Sequence, residues 1–100
     1  MEYLPGTIIK YKEEMGFKRI LYGIVLEQLN ENCVNIISEL KNERIVSLFL
    51  NSEISSEYVT IEKILDSYKE IPENNEQGHL SLDRLVLKQI GRLMDITSKR

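Results

Sequence analysis

A mainly β domain with one late helix is the fold class this sequence predicts, on three observations. Short runs rich in Ile, Val, Leu and Tyr recur at roughly 10–12 residue spacing through the first part of the chain, the rhythm of short strands. Turn-forming clusters such as Asn30-Glu31-Asn32 separate them. From Ser81 onward the apolar residues change to helical spacing.

The first strand is Thr7-Ile8-Ile9-Lys10-Tyr11, entered after Pro5-Gly6, a pair that punctuates the chain. A polar loop holding Glu13, Glu14, Gly16, Lys18 and Arg19 leads to the second strand, Ile20 to Gln28. Gly23 lies inside this strand, where a glycine marks a bulge or the bend that turns a barrel corner. Cys33 to Ile37 is the third strand and Arg44 to Leu50 the fourth, with the polar turn Glu39 to Glu43 between them. Asn51 to Ser56 is a further loop.

The stretch "EYVTIEKILDSYKEI" alternates as a strand does, yet Ile61, Ile64, Leu65 and Tyr68 also fit a helix face. It is read as a strand from about Glu57 to Ile64, with a helical turn after it. Pro72 to Gly78 contains no apolar residue and reads as a loop. Leu82, Leu85, Val86, Ile90 and Leu93 then mark the apolar face of the helix. Ser81 stands at the N-cap and Asp83 in the first turn, where a carboxylate complements the helix dipole. Gly91 either ends this helix or weakens it, and the "TSKR" tail frays. Five strands and a late helix in 100 residues suggest a small SH3-like barrel of about five strands with a C-terminal helix, a single domain over residues 1–100.

Composition narrows the function classes. No apolar run approaches the roughly 20 residues of a membrane helix, and the N-terminus lacks a secretion-signal pattern. Cys33, the single cysteine, pairs with nothing inside the chain and fits a reducing, cytoplasmic compartment. One His and one Cys do not assemble a usual zinc ligand set, so neither a metal nor another cofactor is expected. The net charge of −3 is uneven: residues 1–20 sum to +1, 21–80 to −7 and 81–100 to +3. A protein gripping nucleic acid through phosphates shows a basic excess, so a basic surface here has to be local.

Several segments, taken in order, resemble the PemK/MazF family of ribonuclease toxins. Pro5-Gly6-Thr7-Ile8-Ile9 resembles that family's opening strand. Lys18-Arg19, followed by Ile20-Leu21-Tyr22-Gly23-Ile24-Val25, resembles its charged loop and the strand beyond, with Ile20 where the family has proline. Val34-Asn35-Ile36-Ile37-Ser38, Tyr58-Val59-Thr60-Ile61-Glu62-Lys63-Ile64 and Leu85 to Leu93 resemble later strands and the C-terminal run. The resemblance implies metal-independent cleavage of single-stranded RNA by attack of the ribose 2′-hydroxyl on the adjacent phosphate, in a homodimer. Arg19 would supply positive charge to the phosphorane, because guanidinium is always ionised and meets phosphate bidentately. Ser38 would donate a hydrogen bond to a non-bridging oxygen, Glu13 or Glu14 would serve as base, and Lys18 would hold a neighbouring phosphate.

Each of these residues has a plainer reading. Glu13, Glu14, Lys18 and Arg19 form a mixed-charge loop of the kind that is simply solvated. Ser38 precedes a polar turn and can bond its own backbone. His79 is an ordinary surface histidine, Cys33 a small buried hydrophobe, and the five tyrosines complete a core or its rim. The alternative to the ribonuclease is therefore a non-catalytic acidic binding protein on the same fold, such as a phage- or plasmid-encoded inhibitor of a host nucleic-acid enzyme. Its acidic middle segment, with Glu39, Glu43, Glu53 and Glu57, would meet a basic protein partner.

Overall fold

The computed structural model describes residues 2–39 and 45–98, with side chains through Asp95. In chain order come β1 (Ile8–Glu13), β2 (Ile20–Asn30), β3 (Cys33–Ser38), β4 (Ile45–Phe49), β5 (Val59–Leu65), one 3-10 turn (Tyr68–Glu70) and α1 (Leu82–Ser98). The five strands form one antiparallel sheet in the order β4-β3-β2-β1-β5. The mainly β class with a C-terminal helix is therefore as the sequence predicts. Barrel closure is not: β4 and β5 remain the two edges, and among the described residues one parallel bridge, between Phe49 and Tyr58, joins them. The chain between them is spent in turns around Asn51, whose side chain accepts from Glu53 N, leaving little extended backbone for a ladder.

The sheet carries a core on each face. Ile9, Tyr11, Leu21, Val25, Val34 and Ile36 pack on one side, and Ile8, Tyr22 and Ile24 meet Leu65, Ile71 and Leu87 on the other. Burial on both faces explains why β2 reads as a continuous apolar run instead of alternating. Ile24 and Ile36 have no exposure at all, and each such side chain contributes about 1.5–3 kcal/mol on removal from water.

The ambiguous "EYVTIEKILDSYKEI" divides as read. Val59–Leu65 pairs with β1 across a bulge at Lys10/Tyr11, and the helical turn follows at Tyr68–Glu70. Ser67 and Glu70 form a capping box on that turn. Gly23, however, is not a bulge: it pairs regularly with Ile9 and Ser38, while the bulges of β2 lie further on, between Val25 and Asn30. Its lack of a side chain makes room for Ile36, whose Cδ1 occupies the place a Cβ would take.

The helix buries a face other than its most apolar positions suggest. Ser81 does cap it, accepting from Arg84 N at 3.3 Å, and Gly91 lies within it. Of the five apolar residues expected to face the core, Leu82, Val86 and Leu93 are exposed, Leu85 is half-buried and Ile90 packs against the second core. The buried residues are Arg84, Leu87 and Gly91, with Ile90 and Met94 packed beside them. The face centred on Leu87 is the one that meets the second core. Gly91 lets the backbone approach Tyr68 closely, and Arg84 finds a buried carboxylate.

Candidate functional site

The β1–β2 hairpin places the loop residues singled out from the sequence. Gly16 and Lys18 both have positive φ, 69° and 51°, a conformation that costs lysine more than glycine. Arg19 returns across the loop to Glu13, donating from Nε at 2.7 Å and from Nη2 at 3.4 Å to the two carboxylate oxygens. That bidentate bond raises the guanidinium pKa above its ordinary value. Glu14 accepts from Thr60 Oγ1 at 2.8 Å, tying the loop to β5. Lys18 is exposed, and so are Met15 and Phe17 at the hairpin tip.

Ser38 is elsewhere. It has no exposure, and its hydroxyl lies 2.7 Å from the Tyr11 hydroxyl within the sheet's first core. Burial pushes the Tyr11 phenol pKa up, against the opposing pull of the Ser38 bond. Arg19 instead lines a surface cleft of about 420 Å³ together with Ile20, Glu39, Glu76, Asp83 and Arg84. Arg19, Glu14 and Lys18 thus share one hairpin, whereas Ser38 presents its hydroxyl to the interior.

The floor of this cleft holds a cluster that the sequence did not reveal. Arg84 and Glu39 are both buried, with Arg84 Nε 2.7 Å from Glu39 Oε2. Arg84 Nη1 donates to Asn74 O at 2.5 Å and Nη2 to Ile20 O at 3.2 Å, while the guanidinium lies 4.9 Å from the Tyr22 ring centre. Glu39 also accepts from Tyr22 N, and Glu76 accepts from Ile20 N at 3.1 Å. Glu39 is therefore not the surface carboxylate expected of a polar turn; Glu43 lies outside the described residues. Burial raises the Glu39 pKa, opposed by the Arg84 hydrogen bond and charge. The available signal was positional: Arg84 shares the face of Leu87 and Gly91 at spacings of three and four residues.

Chemically, the cluster is closed. Among the described residues no buried side-chain nitrogen or oxygen lacks a hydrogen-bond partner, so the cleft floor offers no orphaned donor to a ligand. No group of three or more His, Cys, Asp or Glu among the described residues is placed to hold a metal ion. No helix among them is long and apolar enough to cross a membrane. No family model, curated protein or solved structure matches the chain.

Proposed function

We propose that this chain is a non-catalytic binding protein whose acidic surface meets a basic protein partner. The observation that carries this reading is the internal engagement of the groups nominated for RNA cleavage. Arg19 is held by Glu13, Glu14 by Thr60, and the Ser38 hydroxyl by Tyr11 inside the core. A phosphate approaching Arg19 meets a guanidinium whose Nε–Nη2 edge is taken by Glu13, beside a cleft that Glu76 and Asp83 also line. Among the described residues eleven acidic side chains are exposed against five basic ones. A surface of that balance repels phosphate and attracts a cationic partner, and the attraction weakens with salt.

The test compares RNA with basic peptide. Incubation with a long single-stranded RNA is expected to leave it intact. Lysine-rich peptides are expected to bind with an affinity that falls steeply as salt is raised. Discrete cuts ending in cyclic phosphate, and lost in Arg19→Ala, would return the ribonuclease reading. Peptide binding insensitive to salt would count against an acidic docking surface.

A further inference from the structure

The helix turns one line of residues away from the sheet. Leu82, Val86, Gln89 and Leu93 follow one another at spacings of four, three and four, which keeps them on one face of α1. That face is opposite Arg84, Leu87 and Gly91, the residues buried beneath the helix. Leu82, Val86 and Leu93 are 70%, 38% and 63% exposed, and Gln89 is exposed between them. Scattered apolar residues are ordinary on a surface, but a line of them at this interval is a seam on which one helix meets another. Beside the seam lies a depression of about 590 Å³, lined by Glu73, Val86, Lys88 and Arg92 among others. Arg92 is exposed there, and so is Glu73, whose side chain keeps 61% exposure with Lys88 Nζ 3.7 Å away. The seam thus carries both a cation and a carboxylate along one flank.

We infer that this seam is covered by a second copy of the chain, the two α1 helices packing antiparallel across a two-fold axis at Gln89. The spacing specifies a helical occupant, because it is the interval at which side chains of one helix seat between those of another. The pattern is also complementary to itself. Val86 and Leu93 lie three residues before and four after Gln89, so an antiparallel pair sets each Val86 against the Leu93 of the other copy. Gln89 on the axis has an amide donor and a carbonyl acceptor, which lets it bond to its own counterpart. One polar residue in an apolar seam also fixes the register. The same arrangement carries Arg92 of one copy past Val86 of the other, toward the depression that holds Glu73, and symmetry makes this contact twice. Apolar contact supplies the affinity and the charge pair sets the direction. A seam about three turns long is small for an interface, so monomer and dimer are expected to exchange at micromolar concentration. Such a dimer goes beyond the basic partner proposed above, and either can fail without the other.

The experiment is sedimentation equilibrium of the full chain from micromolar to millimolar concentration, with thermal unfolding used to confirm that each variant folds. A monomer–dimer equilibrium is expected. Leu82→Gln/Leu93→Gln should weaken association at least about tenfold, since it removes apolar contact on both sides of the axis. Arg92→Glu and Glu73→Arg should each weaken it about tenfold, because each sets like charges together twice. Mixing these two variants is the decisive measurement. In the mixed dimer one contact is native and the other carries both reversals, so both pairs are again opposite in sign. Affinity should return to within about threefold of the wild type, a result that no contact inside a single copy produces. A monomer at every concentration would overturn the dimer, as would a dimer indifferent to Leu82→Gln/Leu93→Gln. Failure of the mixture to recover association would overturn the antiparallel pairing of Arg92 with Glu73. A chain that stays monomeric while its α1 amide signals shift on adding an amphipathic helical peptide would overturn the second copy in favour of another protein's helix.

Discussion

Arg84 on α1 and Glu39 after β3 form a 2.7 Å ion pair with side-chain exposures of only 6% and 5%. Charge withdrawn from water this far is tolerable only when every hydrogen bond is met, and here Asn74 O, Ile20 O and Tyr22 N complete the set. The pair ties the helix, the loop before it and two strands at one point. Removing one partner leaves the other charge buried and uncompensated. Arg84→Ala or Glu39→Ala is expected to cost about 3–5 kcal/mol in urea unfolding. Replacing both by well-packed apolar residues should cost much less. A single variant that loses under about 1 kcal/mol would show that water reaches the pair.

Linkage gives the same carboxyl a pH signature. Burial, the largest influence, holds Glu39 above its ordinary value, with Arg84 opposing. The folded state therefore binds this proton more tightly than the unfolded chain does. Its contribution is fully present below the unfolded carboxyl pKa and is lost as pH rises through the folded one. The stability of the wild type minus that of Glu39→Gln should accordingly increase as pH is lowered through the range just above the unfolded value. A difference that shrinks on acidification would mean that the Arg84 interaction outweighs desolvation.

The bond between Tyr11 and Ser38 carries a prediction at the alkaline end. Desolvation raises the Tyr11 phenol, while Ser38 pulls it down, and burial raises Tyr3 and Tyr22 as well. The folded state keeps a proton that the unfolded chain releases near pH 10, so stability holds below about pH 10 and falls above it. Tyr11→Phe should flatten part of that fall, followed by unfolding across an alkaline pH series. Ser38→Ala, which takes a partner from a buried hydroxyl, is expected to cost about 1–3 kcal/mol, and the double variant less than the two singles combined.

What was legible in the sequence is what depends on local pattern. The strands, the choice of strand over helix at Val59–Leu65, the Ser81 cap and the loop at Pro72 to Gly78 all follow from apolar spacing and turn chemistry. Three things depended on contacts distant in the chain and were not legible. Which face of the helix is buried is set by contacts such as Gly91 against Tyr68 and Arg84 against Glu39. Ser38 looked like the end of a strand before a solvated turn, yet its neighbour across the sheet is a tyrosine 27 residues earlier. Glu39 looked polar and exposed because nothing nearby announces Arg84, 45 residues away. The hairpin charges were visible as a group, but the Glu13–Arg19 pairing that occupies the guanidinium was not.

Gly23 offers a test of packing in the first core. An added Cβ would meet Ile36 Cδ1 and lie 3.1 Å from Ile37 O. Gly23→Ala is therefore expected to destabilise by about 1–3 kcal/mol despite alanine's lower backbone entropy cost. Ile36→Val removes the Cδ1 carbon at its own cost of about 0.5–1.5 kcal/mol. The double variant should be more stable than Gly23→Ala alone. If it is not, the constraint comes from the Ile37 carbonyl.

Gly91 makes the opposite of the usual helix prediction. Within an exposed helix, replacing glycine by alanine stabilises by about 1 kcal/mol. Here the new Cβ would stand 2.8 Å from Tyr68 Cβ and 3.5 Å from Ile24 Cδ1. Tyr68 cannot step aside, because its backbone belongs to the 3-10 turn fixed by Ser67 and Glu70. The helix has to lift, which weakens the seat of Leu87 and the reach of Arg84 to Glu39. Gly91→Ala should thus lower stability by about 1–3 kcal/mol, and by less in an Arg84→Ala background, where part of that linkage is already gone. The check is a double-mutant cycle in urea with helicity followed at the same time. A more stable Gly91→Ala protein would mean that α1 rides free of the turn and that the close approach of Gly91 to Tyr68 does not hold the helix to the sheet.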